Sequence, residues 1–100
     1  MARIMDGIGG KDLRPIAEDY KKQIASGVVA LVGVLDGKAA VTVAVTSDLT
    51  GRINAAELAR AAVLAMGGQG AGGKPDFAQG GAPDATLAQA GLDAVKAAMA

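Results

Sequence analysis

The chain of 100 residues contains no cysteine, no histidine and no tryptophan. Without cysteine it has no disulfide, no thiol nucleophile and no thiolate ligand for a metal. Without histidine it also lacks zinc sites of the usual kind and every imidazole-based acid–base device. Tyr20 and Phe77 are the two aromatic residues, which argues against RNA-binding modes that stack bases on aromatic platforms. Charge of one sign is missing as well. Lys plus Arg is 10 and Asp plus Glu is 10, so there is neither a polybasic arm nor an acidic tail, and any contact with nucleic acid must come from local clustering. The opening MARIMDGIGG is broken by Asp6 and three glycines, unlike a secretory signal. The longest apolar run, Val28 to Leu35, is interrupted by Gly33 and falls far short of the roughly 20 residues of a spanning helix. The expectation is a soluble, cytoplasmic domain with no membrane partner.

Hydrophobic residues make up 51% of the chain, enough for one packed core in a single domain over residues 1–100. Arg3-Ile4-Met5 reads as the tail of a strand, and Met1 lies too close for a full one. This abrupt start is expected of a piece of something larger. Leu13, Ile16, Ala17, Tyr20 and Ile24 then recur at helical spacing, with Pro15 tolerable in the first turn and Ser26-Gly27 as the stop. Val28 to Leu35 is a strand, and Asp36-Gly37 is a hairpin turn of the kind that needs positive φ. On the return strand, Ala39, Val41, Val43 and Val45 alternate with Ala40, Thr42, Ala44 and Thr46. The valine face is expected to meet the main core, and the small face to admit a second element closely. Asp48 to Gly51 is a loop. Asn54 and Glu57 have capping-box spacing, Ile53 and Leu58 that of a hydrophobic staple, and the helix should run to Met66 before Gly67-Gly68. Asp84 caps a last helix bearing Leu87, Ala88, Leu92, Val95 and Met99 on one side. The fold class is therefore α/β: a small mixed sheet with a β-hairpin, packed by three helices, with a glycine-rich loop before the last.

That loop, Gly67 to Gly81, holds seven of the 15 glycines. Gly68 to Lys74 satisfies the spacing of a phosphate-binding P-loop, but Pro75 stands where Ser or Thr must hold Mg²⁺, and the segment follows a helix rather than a strand. Gly68, Gly70 and Gly73 match a dinucleotide fingerprint, yet the strand–helix context and the acidic residue are missing, and so glycine-rich a run matches by chance. A plain structural role is the competing explanation, with glycines letting backbones cross closely against the small Ala/Thr face. Pro75-Asp76 then reads as a simple turn, and Phe77 and Tyr20 as core.

The second half of the segment, Lys74-Pro75-Asp76-Phe77-Ala78-Gln79-Gly80-Gly81, resembles the hallmark of the DHH-associated domain family, found at the C-terminus of alanyl-tRNA synthetases and on DHH phosphoesterases. Upstream, Thr46-Ser47-Asp48-Leu49-Thr50 followed by Asn54-Ala55-Ala56-Glu57-Leu58 is similar to the strand, loop and helix that precede the glycines in the synthetases. Lys74 stands where the family usually carries Arg, which keeps the charge and loses a bidentate fork toward phosphate. The run before Lys74 is one residue longer than usual and includes Ala71. The phosphoesterase branch has a His after its glycines and this chain has none, which favours the synthetase branch.

The resemblance implies an accessory domain of an alanine–tRNA ligase that holds tRNA(Ala) and helps the aminoacylation and editing domains act on it. It implies no catalytic residue, no metal and no cofactor in this chain. Two alternatives stand beside it: an oligomerisation module, favoured by the apolar last helix and the neutral charge and giving a homodimer, and the substrate-binding domain of a DHH-type phosphoesterase. Candidate RNA contacts are Gly70, Gly72, Gly73 and Lys74 in the glycine segment, with uncovered amides and one cation, extended by Arg52 and Arg60 and by Lys21 and Lys22 on the first helix. Lys11 and Arg14 share that helix, where Asp12, Glu18 and Asp19 dilute the field; an ordinary solvated face is the simpler reading of it. The P-loop mismatch at Pro75 generates a direct expectation. Purified chain incubated with ATP and Mg²⁺ releases no phosphate above the buffer rate, whereas steady turnover lost in Lys74→Ala would show a working P-loop.

Overall fold

The computed structural model describes residues 2–99. Its centre is the expected hairpin. Asp36 and Gly37 both take positive φ, 53° and 76°, a turn whose twist suits two antiparallel strands. It joins β2 (Val28–Leu35) to β3 (Lys38–Val45), paired from Leu35↔Lys38 to Val28↔Val45. On one side of this pair lies β1 (Ala2–Asp6), parallel to β2. It is a strand of five residues rather than a short tail, because the parallel edge of β2 supplies hydrogen-bond partners from Ala2 onward. Helix α1 (Gly10–Gln23) connects the two parallel strands, ending at Gln23, three residues before the expected stop at Ser26.

The alternation on β3 sorts the helices into layers. Ala39, Val41, Val43 and Val45 enter a core with α2 (Ala55–Ala65) and α3 (Ala88–Met99), including Leu58, Ala59, Ala62, Val63, Leu92 and Val95. On the opposite face Ala44 joins Val29 and Leu31 under α1, where Leu13 and Ala17 are fully buried and Ala40 packs at the margin. Alanine and threonine keep that face shallow, so α1 comes close: a Cβ on Gly10 would stand 3.1 Å from Ala40 Cβ. Asn54 Oδ1 caps α2, accepting from Ala56 N at 2.9 Å and Glu57 N at 3.3 Å. Asp84 caps a short 3-10 turn, Ala85–Leu87, that leads into α3, so the expected cap lies one turn early.

The glycine segment departs most from expectation. It is not a loop. Ala71–Lys74 forms β4 and Phe77–Ala82 forms β5, antiparallel to each other through a turn at Pro75 and Asp76. β5 pairs with β3 from Ala39↔Ala82 to Ala44↔Phe77, completing a sheet in the order β1-β2-β3-β5-β4. The glycines lie beside β3, not across its small face. Two of them, Gly68 and Gly80, pack against Val63 of α2, and Gly73 packs against β5. A Cβ on Gly80 would meet Val63 Cγ2 at 2.5 Å and Ala71 Cβ at 2.7 Å, and one on Gly73 would meet Ala78 Cα and the Phe77 carbonyl oxygen, each at 2.5 Å. Glycine lowers strand propensity, which hid these strands; here it is what lets a helix lie flat on them.

Gly80 and Gly72 therefore answer differently to the same change. Gly80→Ala pushes α2 off the sheet and is expected to cost about 1–3 kcal/mol, the usual range for overpacking. Gly72→Ala meets nothing within 4 Å and stays within about 0.5 kcal/mol of the parent. Urea unfolding of both variants checks the contrast.

Candidate nucleic-acid interface

Side chains alternate across a strand, so the register of the glycine hairpin decides what faces α1. Phe77 pairs with Ala44, whose side chain lies on the α1 face, and Lys74 pairs with Phe77. Lys74 and Phe77 thus share that face, with Gly72 and Gln79 two pairs further along. Gln79 Nε2 donates to the buried Thr42 hydroxyl at 3.4 Å. Between this hairpin and the outer side of α1 runs an open cleft of about 670 Å³, lined by Arg14, Lys21, Lys22, Gly72, Gly73 and Lys74 among others.

Five of the eight expected contact residues meet here, from two segments some fifty positions apart: Lys21, Lys22, Gly72, Gly73 and Lys74. Gly70 precedes β4 and does not line the cleft. Neither Arg52 nor Arg60 lines it; both are exposed, before and on α2, the helix packed on the other face of the sheet. Arg14 joins the cleft instead, and its partner there is Phe77. The guanidinium carbon lies 5.4 Å from the ring centroid, and Phe77 is half-buried against the α1-face cluster rather than fully inside it. Tyr20 is likewise half-buried, with Arg3 6.0 Å from its ring. Sequence alone marks Arg14 as one of several helix cations; only the β5 register brings it to Phe77.

The charges in the cleft are unequally matched. Arg14 Nε lies 3.4 Å from Glu18 Oε1, and Lys21 Nζ lies 3.5 Å from Asp76 Oδ2. Among the described residues, Lys22 and Lys74 have no carboxylate within 4.0 Å. The four cations exceed the two carboxylates, and the excess sits at Lys22 and Lys74. A second opening of about 730 Å³, between the β2–β3 turn and Gly67 to Gln69, carries Lys38 offset by Asp36. The first has a positive excess, as does a smaller opening of about 400 Å³ that Lys11 and Arg14 line. Among the described residues no group of three or more metal-ligating side chains occurs, and no helix is long and apolar enough to cross a membrane. The cleft offers point charges and open backbone to an anion.

A mixed sheet with one helix below and two above, and a glycine hairpin at its edge, defines a class of domain. The chain belongs to the DHHA1 domain family, whose model matches residues 1–100. It is 74% identical to the alanine–tRNA ligase of Caulobacter sp. strain K31 over 101 residues, which covers 100% of the chain and 11% of that protein. It is 72% identical to the corresponding ligase of Caulobacter vibrioides, again over 100% of the chain and 11% of the relative. The chain therefore spans about a ninth of the length of these relatives. Among solved structures it resembles the C-Ala domain of Aquifex aeolicus alanyl-tRNA synthetase, with a TM-score of 0.83 and 23% identity over 98% of this chain and 85% of that one.

Two carboxylates away from the cleft are held below the ordinary value of 3.8. For Asp48 the main cause is the Ser26 hydroxyl, which donates at 2.5 Å, with the Thr46 hydroxyl second. For Asp84 it is the Thr86 hydroxyl at 2.6 Å, then the Thr86 backbone N–H at 2.9 Å. A depressed folded-state pKa contributes stability that is present above the unfolded value and lost as pH falls through the folded one. Stability should therefore decline below pH about 4. In an NMR titration, Ser26→Ala is expected to move the Asp48 midpoint upward toward 3.8 and leave that of Asp84 in place.

Proposed function

We propose that this chain is the C-terminal accessory domain of an alanine–tRNA ligase, acting in the cytoplasm, and that it holds tRNA(Ala) through the cleft between α1 and the glycine hairpin. One observation carries the RNA contact: Lys21, Lys22 and Lys74, with the uncovered backbone of Gly72 and Gly73, line a single cleft although the chain as a whole is neutral. Lysines act on phosphate as point charges, and glycine lets a phosphate oxygen come near the main chain. Such contacts position an RNA without reading its sequence. Recognition of the correct tRNA then belongs to other parts of the ligase, and this domain supplies attachment. In this reading the chain itself performs no chemistry and holds no cofactor.

The phosphoesterase alternative draws no support from the two relatives described above, which are both ligases. The oligomerisation alternative rests on the apolar last helix and on the neutral charge. Ala88, Gly91, Leu92 and Val95 are buried in this chain's own core, so that face is already occupied; Met99 is the part of it left exposed.

An electrophoretic shift with tRNA at two salt concentrations, run beside analytical ultracentrifugation, tests the proposal. Lys74→Glu should weaken binding several-fold and lower the salt slope by about one or more, because a lysine–phosphate contact is lost and a repulsion added. Lys96→Glu, on α3, should bind as the parent. No shift by the parent protein together with a dimer in the ultracentrifuge replaces this function with oligomerisation.

A further inference from the structure

Two aromatics in 100 residues left little room for base stacking, yet a planar group is present in the cleft. A guanidinium plane stacks on a base as an aromatic ring does. Arg14 stands over Phe77 on one face, 5.4 Å from guanidinium carbon to ring centroid, and beside Glu18 at one edge, 3.4 Å from its Nε. Its side chain is nevertheless 63% exposed. The group is thus oriented by the protein while much of its surface stays open. A cation already held in place loses less freedom when a partner arrives. Phe77 offers less of its surface, because it lies beneath Arg14 and is half-buried against the α1-face cluster.

Lys74 is the cross-strand partner of Phe77. Directly paired residues on one face have Cβ atoms about 4.5–5.5 Å apart, so Lys74 leaves the sheet beside the ring on which Arg14 sits, and all three line one cleft. Gly72, on the same face next to Lys74 along β4, adds no side chain to that part of the cleft. We propose that Arg14, seated on Phe77, is the stacking platform for one unpaired RNA base, with that nucleotide's phosphate at Lys74. The proposal rests on the RNA-binding function above and adds a second kind of contact to it. It makes the cleft selective for single-stranded or looped-out nucleotides over a continuous duplex, whose bases stack on one another.

Arg14→Lys keeps the charge and removes the plane, which separates stacking from electrostatics. The probe is a short single-stranded RNA with one 2-aminopurine, beside the same RNA with an abasic residue there. Stacking on a protein side chain is worth about 1–3 kcal/mol per base, or roughly 5- to 150-fold in affinity. The parent protein should change the 2-aminopurine fluorescence and bind the abasic RNA at least fivefold more weakly than the intact one. Arg14→Lys should lose the fluorescence change, bind both RNAs alike, and keep the parental salt slope. Circular dichroism and urea unfolding confirm that the variant is folded. If Arg14→Lys matches the parent on both RNAs while Lys74→Glu weakens binding, the platform is wrong and the phosphate contact stands. If neither substitution alters binding of this RNA or of tRNA, the platform and the RNA-binding function fall together.

Discussion

Two backbone hydrogen bonds hold the turn between β4 and β5: Val45 N donates to the Asp76 carbonyl at 2.8 Å, and Ala55 N donates to the Pro75 carbonyl at 2.8 Å. The first bond extends the pairing of β3 and β5 past the end of the regular ladder. The second satisfies one of the amides that the first turn of α2 leaves without an intrahelical partner. Asp76 adds the ion pair with Lys21 on the opposite face of the sheet. One turn thus ties together the central strand, the upper helix layer and the lower one. The position of Lys74 relative to α1, and with it the cleft, follows from that anchorage. The ion pair is partly exposed and contributes little stability by itself. The backbone bonds are the stronger constraint, since a buried amide without a partner costs about 1–3 kcal/mol.

The elements with a local cause were legible in the residues. Asp36-Gly37 needed two positive φ angles and has them, and Asn54 needed two amides to accept from and has them. The split of β3 into a valine face and a small face anticipated both layers, because burial follows side-chain size whatever the chain order. Elements that depend on a distant partner were not legible. β4 and β5 are AGGK and FAQGGA, with almost nothing to mark a strand. They are strands because the edge of β3 stands open beside them and α2 lies above them. β1 was underestimated for the same reason: the amides of a parallel neighbour cannot be seen from Arg3-Ile4-Met5 alone.

The candidate site divides along the same line. Lys74 with its glycines, and Lys21 with Lys22, could each be picked out as local clusters, but nothing in the sequence says that they face one another. Arg52 lies close to the glycine segment in sequence and was expected to extend it, yet α2 carries the chain onto the other face of the sheet. Arg14, sixty positions from the hairpin, is the residue that reaches it. Sequence proximity misled in one case and concealed in the other, because the sheet separates α1 from α2 by its full thickness.

The glycines serve the fold and the surface at once, and the strand alternation divides the labour. Gly80 and Ala71, a cross-strand pair, face α2, and a side chain on Gly80 would collide with Val63 and with Ala71 itself. Gly72 faces α1, where nothing stands within 4 Å and no packing reason requires a glycine. The structural explanation of the glycine run therefore accounts for Gly80 and Gly73 but not for Gly72. A side chain at Gly72 would fit the fold and would project into the cleft beside Lys74. Its absence keeps the floor of the cleft open, beside one of the two cleft lysines that have no carboxylate within 4.0 Å.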